Sequence, residues 1–168
     1  SDFFRIQPWP NPHSDVPMPD FRQTRHERPT RLERPRELVV TCPPMRSNVN
    51  LSRIARAAGC SGVGRMICCG TAKIAAKIAR DAAESLEIEV HRTLAPVLER
   101  LRGDGFQLVG LEQTTGSESL CSFQFERRTA LVVGNERLGI EAKILGMLDH
   151  TVEIPVFGTP SSHAPHAL

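Results

Sequence analysis

The sequence predicts an α/β fold in which a mostly parallel β-sheet carries helices on both faces. From Glu37 onward, short apolar runs alternate with segments of helical spacing, the pattern of strands joined by crossover helices. Two of the runs, 106–111 and 130–133, are apolar on both strand faces, as strands between two helix layers are. All of the 13 prolines except Pro96 lie in the first 44 or the last 14 residues. We therefore predict an arm, one domain and a tail, at 1–36, 37–158 and 159–168.

The first half of the predicted domain contains three strands and two helices. Short apolar runs predict strands at 37–41, 64–69 and 88–91. Apolar residues three or four positions apart predict helices at 50–58 and 72–83. Pro43 and Pro44 stop the first strand, because proline has no N–H for a strand ladder, and Gly59 is the predicted stop of the first helix.

The second half contains three further strands and two helices. The strands are predicted at 106–111, 130–133 and 151–154, and the helices at 94–101 and 141–148. Leucines and a valine mark one face of the earlier helix, which should end near Gly103. In an open parallel sheet, ligands bind beyond the carboxyl ends of the strands. Residues that directly follow each strand are therefore the first candidates for function.

Charge distribution gives the arm a possible role that the net charge does not suggest. The formal net charge is only +2, so attraction to nucleic acid would depend on where the charges lie. The arm has little apolar periodicity and should be disordered. Within it, arginines recur every third residue, at Arg22, Arg25, Arg28, Arg31 and Arg34. Two interpretations stay open, an arm that touches RNA phosphates and a solvated linker.

Cysteine usage and hydropathy predict a cytoplasmic protein with no membrane contact. An odd number of cysteines without a CxxC pair or matching histidines argues against a zinc site or a disulfide framework. We predict reduced, buried thiols at Cys42, Cys60, Cys68, Cys69 and Cys121. No run reaches the roughly 20 apolar residues of a membrane helix. His163 and His166 are interpreted as tail residues rather than a metal pair, so no metal is predicted.

Three segments at predicted strand ends carry residue types suited to ligand binding. The segment 48–58 follows the first strand and places Asn50, Arg53 and Arg56 near the start of a helix. The segment 131–139 is a buried strand that enters a turn with two glycines, where bare backbone can approach a ligand. The segment 152–158 is a strand that proline breaks into another turn. Their order and spacing together are more specific than any one of them.

In that order the three segments resemble the motifs of the SpoU-type RNA ribose 2′-O-methyltransferases of the SPOUT class, over residues 37–155. Asn50 and Arg56 fall on the first motif. The second motif is matched by Gly134, Asn135, Glu136 and Gly139, and the third is opened by Ile154, Pro155 and Gly158. Leu111-Glu112-Gln113-Thr114 is similar to the strand-end segment that borders the family's cofactor pocket.

The resemblance implies a SPOUT trefoil-knot fold, a homodimer and S-adenosylmethionine as cofactor. It implies methyl transfer from this cofactor to a ribose 2′-hydroxyl of tRNA or rRNA. The residues that it implies for cofactor binding, largely through backbone groups, are Gly134, Asn135, Gly139, Ile154, Pro155, Gly158, Leu111 and Gln113. Arg53 and the arginines of the arm are the expected RNA contacts.

The resemblance also implies catalytic roles for three residues. Arg56 is expected at the reacting nucleotide, where a guanidinium is a poor base but can hold a phosphate and stabilise a developing alkoxide. Asn50 is expected to fix that geometry, and Glu136 to orient Arg56 through a charge-assisted hydrogen bond. The alternatives are a surface charge for Arg56, a helix N-cap for Asn50 and a solvated turn residue for Glu136.

The match to the family pattern departs at two places. Ser52 stands where glycine is usual, which should crowd the turn slightly. Near the end, Ser162 matches the third motif, but Ala164 fills the position of its asparagine and Pro165 opposes a continuing helix. We therefore expect the last helix to be absent and the knot incomplete. The alternative function is a catalytically inactive RNA-binding protein, or a truncated product of such an enzyme.

Overall fold

A computed structural model describes residues 22–23, 33–34, 36–75 and 86–157. The chain divides into two units, Ser1–Arg31 and Leu32–Leu168. In the first unit the described residues, Arg22 and Gln23, are exposed. Several predicted features lie outside the described residues, namely most of the arm with Arg25, Arg28 and Arg31, the helix beyond residue 75, Gly158 and the tail.

Seven strands and three helices occur in the described residues. The strands are β1 (Arg36–Cys42), β2 (Val63–Cys69), β3 (Glu87–His91), β4 (Gln107–Leu111), β5 (Glu118–Ser119), β6 (Thr129–Val133) and β7 (His150–Glu153). The helices are α1 (Asn48–Cys60), α2 (Ala95–Gly103) and α3 (Ala142–Leu145). No described helix has both the length and the apolar character that a membrane span requires.

The strands form one sheet in the order β3-β2-β1-β6-β4-β7-β5, and every pairing between neighbours is parallel. The predicted mostly parallel α/β sheet is thereby confirmed. In its register Thr41 pairs with Val132, and Leu111 pairs with Val133. The strands β1, β6 and β4 therefore end at the same edge, which we call the carboxyl edge. The loops that follow them are brought together there.

Helices cover both faces of the sheet because neighbouring strand residues point in opposite directions. On β1, Val39 packs in a core cluster with Leu98 and Leu101 of α2 and Ile144 of α3. Val40, the next residue, packs in a second cluster on the opposite face. The members of that cluster from α1 are Leu51, Ala55 and Ala58, which recur at helical spacing. The trefoil knot involves the chain beyond β7 and stays a prediction.

The helix α1 is longer than predicted at both ends. It begins at Asn48 because the Ser47 hydroxyl accepts a hydrogen bond from the Asn50 N–H, at 3.2 Å. It passes through Gly59, the predicted stop, to Cys60. The chain leaves the helix at Gly62, whose φ of 73° lies in the left-handed region that glycine adopts readily.

Two further elements differ from the prediction near β7. The helix predicted over 141–148 is limited to Ala142–Leu145. The chain must leave it early because Asp149 joins β4: its carboxylate accepts the Leu108 N–H at 2.7 Å and a bond from Arg102 at 2.9 Å. The two-residue strand β5 was not predicted, since polar Glu118 and Ser119 carry no apolar signal.

The cysteines only partly follow the prediction of buried thiols. All five are free, and Cys42, Cys68 and Cys69 are buried, but Cys60 and Cys121 are exposed. Cys42 and Cys68 are register partners on β1 and β2. A hydrogen bond between these thiols, together with burial, raises the pKa of Cys42. Burial raises the pKa of Cys69 to about 11. The Cys42 and Cys69 thiols therefore stay protonated at neutral pH.

Candidate functional site

Glu136 joins two of the three predicted motifs at the carboxyl edge. It lies in the loop after β6, and its carboxylate reaches the chain that leads from β1 into α1. One oxygen accepts the Ser47 N–H at 3.1 Å and the Asn50 side-chain amide at 3.3 Å, and the other accepts the Arg46 N–H at 3.2 Å. A carboxylate at a helix N-terminus is also favoured by the helix dipole. The first and second motifs thus form one hydrogen-bonded unit.

The ionisation of Glu136 follows from these contacts. Partial desolvation raises its pKa, but hydrogen bonds from its own backbone N–H, from the Arg46 and Ser47 N–H groups and from the Asn50 amide outweigh that effect. The net result is a pKa for Glu136 below its usual value. The side chain is therefore a carboxylate at neutral pH, as an acceptor of three bonds must be.

The structure corrects one interpretation of Asn50. Asn50 is not the N-cap of α1, because the cap is Ser47 and Asn50 lies inside the first turn. Its side chain is half-buried and points to Glu136, to which it donates its amide hydrogen bond. The Asn50 side chain is thereby held in one orientation by Glu136, which belongs to the loop after β6.

The predicted contact between Glu136 and Arg56 is not formed. Glu136 is bonded at the start of α1, whereas Arg56 lies six residues beyond Asn50, about 9 Å along the helix axis at 1.5 Å per residue. Arg53 and Arg56 are both exposed. Within the described residues neither guanidinium takes part in a hydrogen bond or an ion pair. Both remain available to an anionic partner.

The second motif folds into a closed loop that we call the glycine loop (134–139). Asn135 and Gly139 exchange both backbone hydrogen bonds, each at 2.9 Å. The Asn135 side chain accepts the N–H groups of Arg137 and Leu138, at 3.0 and 3.1 Å, and donates to the Pro44 carbonyl at 2.8 Å. Gly139 has a φ of 66°, so glycine is required for this turn.

Glu112 is a functional candidate that the sequence analysis did not single out. It directly follows β4, and its carboxylate accepts the Ile140 N–H at 2.9 Å, just beyond the glycine loop. A Cβ on Gly134 would lie 2.8 Å from this carboxylate, and one on Gly139 would contact it even more closely. Its position within the predicted strand-end segment was the available signal, but nothing in the sequence indicated which residue there bonds across the edge.

The other residues of that strand-end segment lie at the same edge. Leu111 is half-buried at the end of β4, and Gln113 is exposed. The Thr114 hydroxyl lies 2.9 Å from the hydroxyls of both Ser117 and Thr151, which ties the segment to β7. The structure therefore brings the segment after β4 beside both the glycine loop and β7.

The third motif is held much less firmly. Ile154 follows β7 with 61% of its surface exposed, Val156 is 60% exposed and Phe157 is 98% exposed. Pro155 is half-buried, and Gly158 lies outside the described residues. This stretch, 154–157, begins at the carboxyl edge but packs little against the described part of the fold.

A cleft of about 220 Å³ opens on the α2 and α3 side of the carboxyl edge. It is lined by Pro44, Thr93, Val133, Ile140 and Lys143, among others. None of the residues predicted to bind the cofactor lines it, although Val133 and Ile140 flank the glycine loop. The hydrogen-bonded loops, rather than this cleft, are therefore the candidate site. No cluster of three metal-binding side chains occurs in the described part of the chain.

A family model matches most of the chain. The model of the SpoU rRNA Methylase family matches residues 37–162. Mouse tRNA (guanosine(18)-2′-O)-methyltransferase TARBP1 is 39% identical over 61 residues, which are 36% of this chain and 4% of that relative. The Escherichia coli K12 tRNA (guanosine(18)-2′-O)-methyltransferase is 25% identical over 129 residues, which are 75% of this chain and 56% of the relative. The chain thus spans little more than half the length of the bacterial relative.

Solved structures with the same fold agree with the family match. The Aquifex aeolicus (A. aeolicus) TrmH/SpoU tRNA modifying enzyme superposes with a TM-score of 0.69 and 26% identity, over 74% of this chain and 66% of that one. The SpoU methyltransferase AviRb from Streptomyces viridochromogenes, solved in complex with AdoMet, gives a TM-score of 0.64 and 25% identity, over 75% and 53% of the two chains.

Proposed function

The chain belongs to the SpoU rRNA Methylase family, and on that premise we propose that it transfers a methyl group from S-adenosylmethionine to a ribose 2′-hydroxyl of tRNA or rRNA. The junction of Glu136 with Ser47 and Asn50 carries this proposal. It holds the segment of the proposed catalytic residues against the glycine loop. A reaction between a nucleotide and a cofactor needs such a fixed approach of two binding segments.

The proposed cofactor site is built from backbone at the carboxyl edge. Gly134 and Gly139 carry no side chain where a Cβ would collide with Glu112 or the loop itself, so the loop lies close against the end of β4, and its backbone groups are proposed to hold the ligand. S-adenosylmethionine, when bound, supplies an electrophilic methyl group on a sulfonium. The residues proposed to hold it are Gly134, Asn135, Gly139, Leu111, Gln113, Ile154, Pro155 and Gly158.

Arg56 and Asn50 have distinct proposed tasks. A guanidinium is a poor base, so Arg56 is not proposed to accept the hydroxyl proton. It instead holds a phosphate of the substrate nucleotide and stabilises the negative charge that develops on the attacking 2′-oxygen, while the hydroxyl proton passes to solvent water and S-adenosylhomocysteine is released. Asn50 positions the nucleotide from the first turn of α1, and Glu136 holds Asn50 through its side-chain amide.

RNA is the proposed partner, and exposed cations are its proposed contacts. Arg53 and Arg56 present two guanidinium groups from one stretch of α1. The arm is proposed to add phosphate contacts through Arg22, Arg25, Arg28, Arg31 and Arg34, which would make affinity fall with salt. We further propose a cytoplasmic location and a homodimer, in which a second copy completes the site.

Calorimetric titration of the 168-residue chain with S-adenosylmethionine tests the proposal first. Saturable binding, followed by methyl transfer to tRNA or rRNA transcripts, is the expected result. If a folded sample binds no cofactor but binds RNA with a steep salt dependence, the alternative of a non-catalytic RNA-binding protein replaces the proposal.

Arg56→Ala tests the assigned chemistry, with Arg92→Ala as the matched control. Arg92 is also exposed, but it follows β3, an edge strand that β2 separates from β1. Arg56→Ala should lower kcat by about 100-fold or more, the usual cost of losing a group that stabilises transition-state charge, with cofactor affinity unchanged. Arg92→Ala should keep kcat within about twofold. Turnover by Arg56→Ala equal to the parent would remove Arg56 from the mechanism.

A further inference from the structure

Glu112, which follows β4, bonds to two other elements at the carboxyl edge. Its backbone N–H donates to the Val152 carbonyl of β7 at 3.0 Å. One carboxylate oxygen accepts the Ile140 N–H at 2.9 Å, beyond the glycine loop, and the other accepts the Gln113 N–H at 3.2 Å. One residue therefore connects the end of β4 with β7 and with the loop after β6.

The carboxylate of Glu112 also fills the space that two glycines leave open. A Cβ on Gly134 would lie 2.8 Å from its Oε2 atom, and a Cβ on Gly139 would contact the same atom more closely still. Since real Cβ atoms do not approach other atoms this closely, the glycine loop and the carboxylate are fitted to each other. The Glu112 carboxylate therefore packs directly against the backbone of the glycine loop.

We propose that Glu112 is a positioning residue that fixes the glycine loop against β4 and so pre-shapes the cofactor site. This inference rests on the proposed function for the identity of the ligand, but not for the positioning itself. Both oxygens of Glu112 accept backbone N–H groups, which a carboxylate can do and a carboxamide cannot, because its amide nitrogen is only a donor. The negative charge is therefore needed for geometry.

Hydrogen exchange at the Ile140 amide tests the positioning without any ligand. In Glu112→Gln this amide or that of Gln113 should exchange at least about tenfold faster than in the parent chain, since a carboxamide offers one acceptor oxygen where the carboxylate offers two. The matched control is Glu126→Gln, because the exposed Glu126 side chain makes no hydrogen bond or ion pair in the described residues. Unchanged protection of both amides in Glu112→Gln would overturn the proposal.

A second variant covers the case in which Glu112→Gln does not fold. Glu112→Asp keeps the charge but shortens the side chain by one methylene, which takes its oxygens away from the Ile140 N–H. The Ile140 amide should therefore exchange at least about tenfold faster in Glu112→Asp than in the parent chain. If the Ile140 amide exchanges as slowly in Glu112→Asp as in the parent chain, the length of the side chain does not matter. That result would overturn the positioning role.

Two ligands that differ in charge separate positioning from direct electrostatics. S-adenosylmethionine carries a sulfonium, whereas S-adenosylhomocysteine has a neutral sulfur. Glu112→Gln should weaken the binding of both ligands by a similar factor, about tenfold, because one hydrogen bond that holds the glycine loop is lost. If only S-adenosylmethionine binds more weakly, the result would overturn the positioning role in favour of a direct charge effect on the sulfonium. If the parent chain binds neither ligand, the proposed function fails, while exchange at Ile140 still decides the role of Glu112.

Discussion

The glycine loop and the stretch 154–157 begin at the same edge of the sheet but are held very differently. The glycine loop is closed on itself by Asn135 and Gly139 and supported by Glu112. In the stretch 154–157, Ile154, Val156 and Phe157 are exposed. One motif is therefore part of the rigid fold, and the other contributes little to the packing of the described domain.

This difference separates two ways in which a motif residue can matter. A change in the glycine loop should reduce stability and ligand binding together, because the loop conformation is fixed by contacts within the fold. A change in the stretch 154–157 should leave the free energy of unfolding almost unaltered, since little apolar surface is buried there. Any functional loss in that stretch would then report a ligand or partner contact.

Gly139→Ala should have the largest effect on the glycine loop. Its φ of 66° is strained for alanine, and the new methyl group would collide with the Glu112 carboxylate. We expect a loss of about 2–3 kcal/mol in the free energy of unfolding, measured by urea denaturation. Gly116→Ala is the control, since a Cβ there meets nothing within 4 Å. Equal midpoints for parent and Gly139→Ala would contradict the fitted packing.

Asn135→Ala should have an intermediate effect. It removes the acceptor for the Arg137 and Leu138 N–H groups and the donor to Pro44, so the loop loses its internal brace and its link to the chain after β1. We expect a loss of about 1–2 kcal/mol in urea denaturation. Asn135→Asp keeps the acceptor and should lose less. If both variants are equally destabilised, the bond to Pro44 rather than the internal brace holds the loop.

The pH dependence of stability should reveal the smaller contribution of Glu136. Its folded pKa is lowered, so its stabilising effect is present above the unfolded value of about 4.3 and disappears as the pH falls through the folded value. The difference in thermal midpoint between the parent and Glu136→Gln should therefore shrink as the pH falls from about 6 to about 3. A difference that stays constant with pH would show that the charge of Glu136 does not stabilise the start of α1.

Phe157→Ser should have almost no effect on stability. The side chain is 98% exposed, so its removal should change the free energy of unfolding by less than about 0.5 kcal/mol. Val152→Ala, a fully buried position of neighbouring β7, should cost about 2 kcal/mol in the same urea measurement. A large loss in Phe157→Ser would show that this stretch is packed in solution and would remove the contrast with the glycine loop.

The sequence predicted the repeating elements better than the short ones. Short apolar runs and period-3.6 patterns identified six of the strands and the two longer helices, because burial requires those patterns of the side chains. The strand β5 and the early end of α3 could not be foreseen. They depend on pairing with β7 and on the contacts of Asp149, which residues distant in sequence decide.

The sequence analysis named several residues of the candidate site, but it did not predict the hydrogen bonds that join them. Asn50, Glu136, Gly134 and Gly139 were singled out by family resemblance, and the structure places them at one edge. Ser47 as the cap of α1 and Glu112 as the support of the glycine loop were not identified. Each is recognised only by its bonding partner, and no spacing rule relates residue 112 to residue 140.

The sequence by itself determined the α/β class, the parallel sheet and the family, because apolar periodicity and ordered motifs are local properties of the chain. Only the tertiary structure decided that Glu136 holds Asn50 rather than Arg56, and that Glu112 supports the glycine loop. The physical reason is that a carboxylate bonds to whichever donors the strand register brings within about 3 Å, and the register is set by the whole sheet.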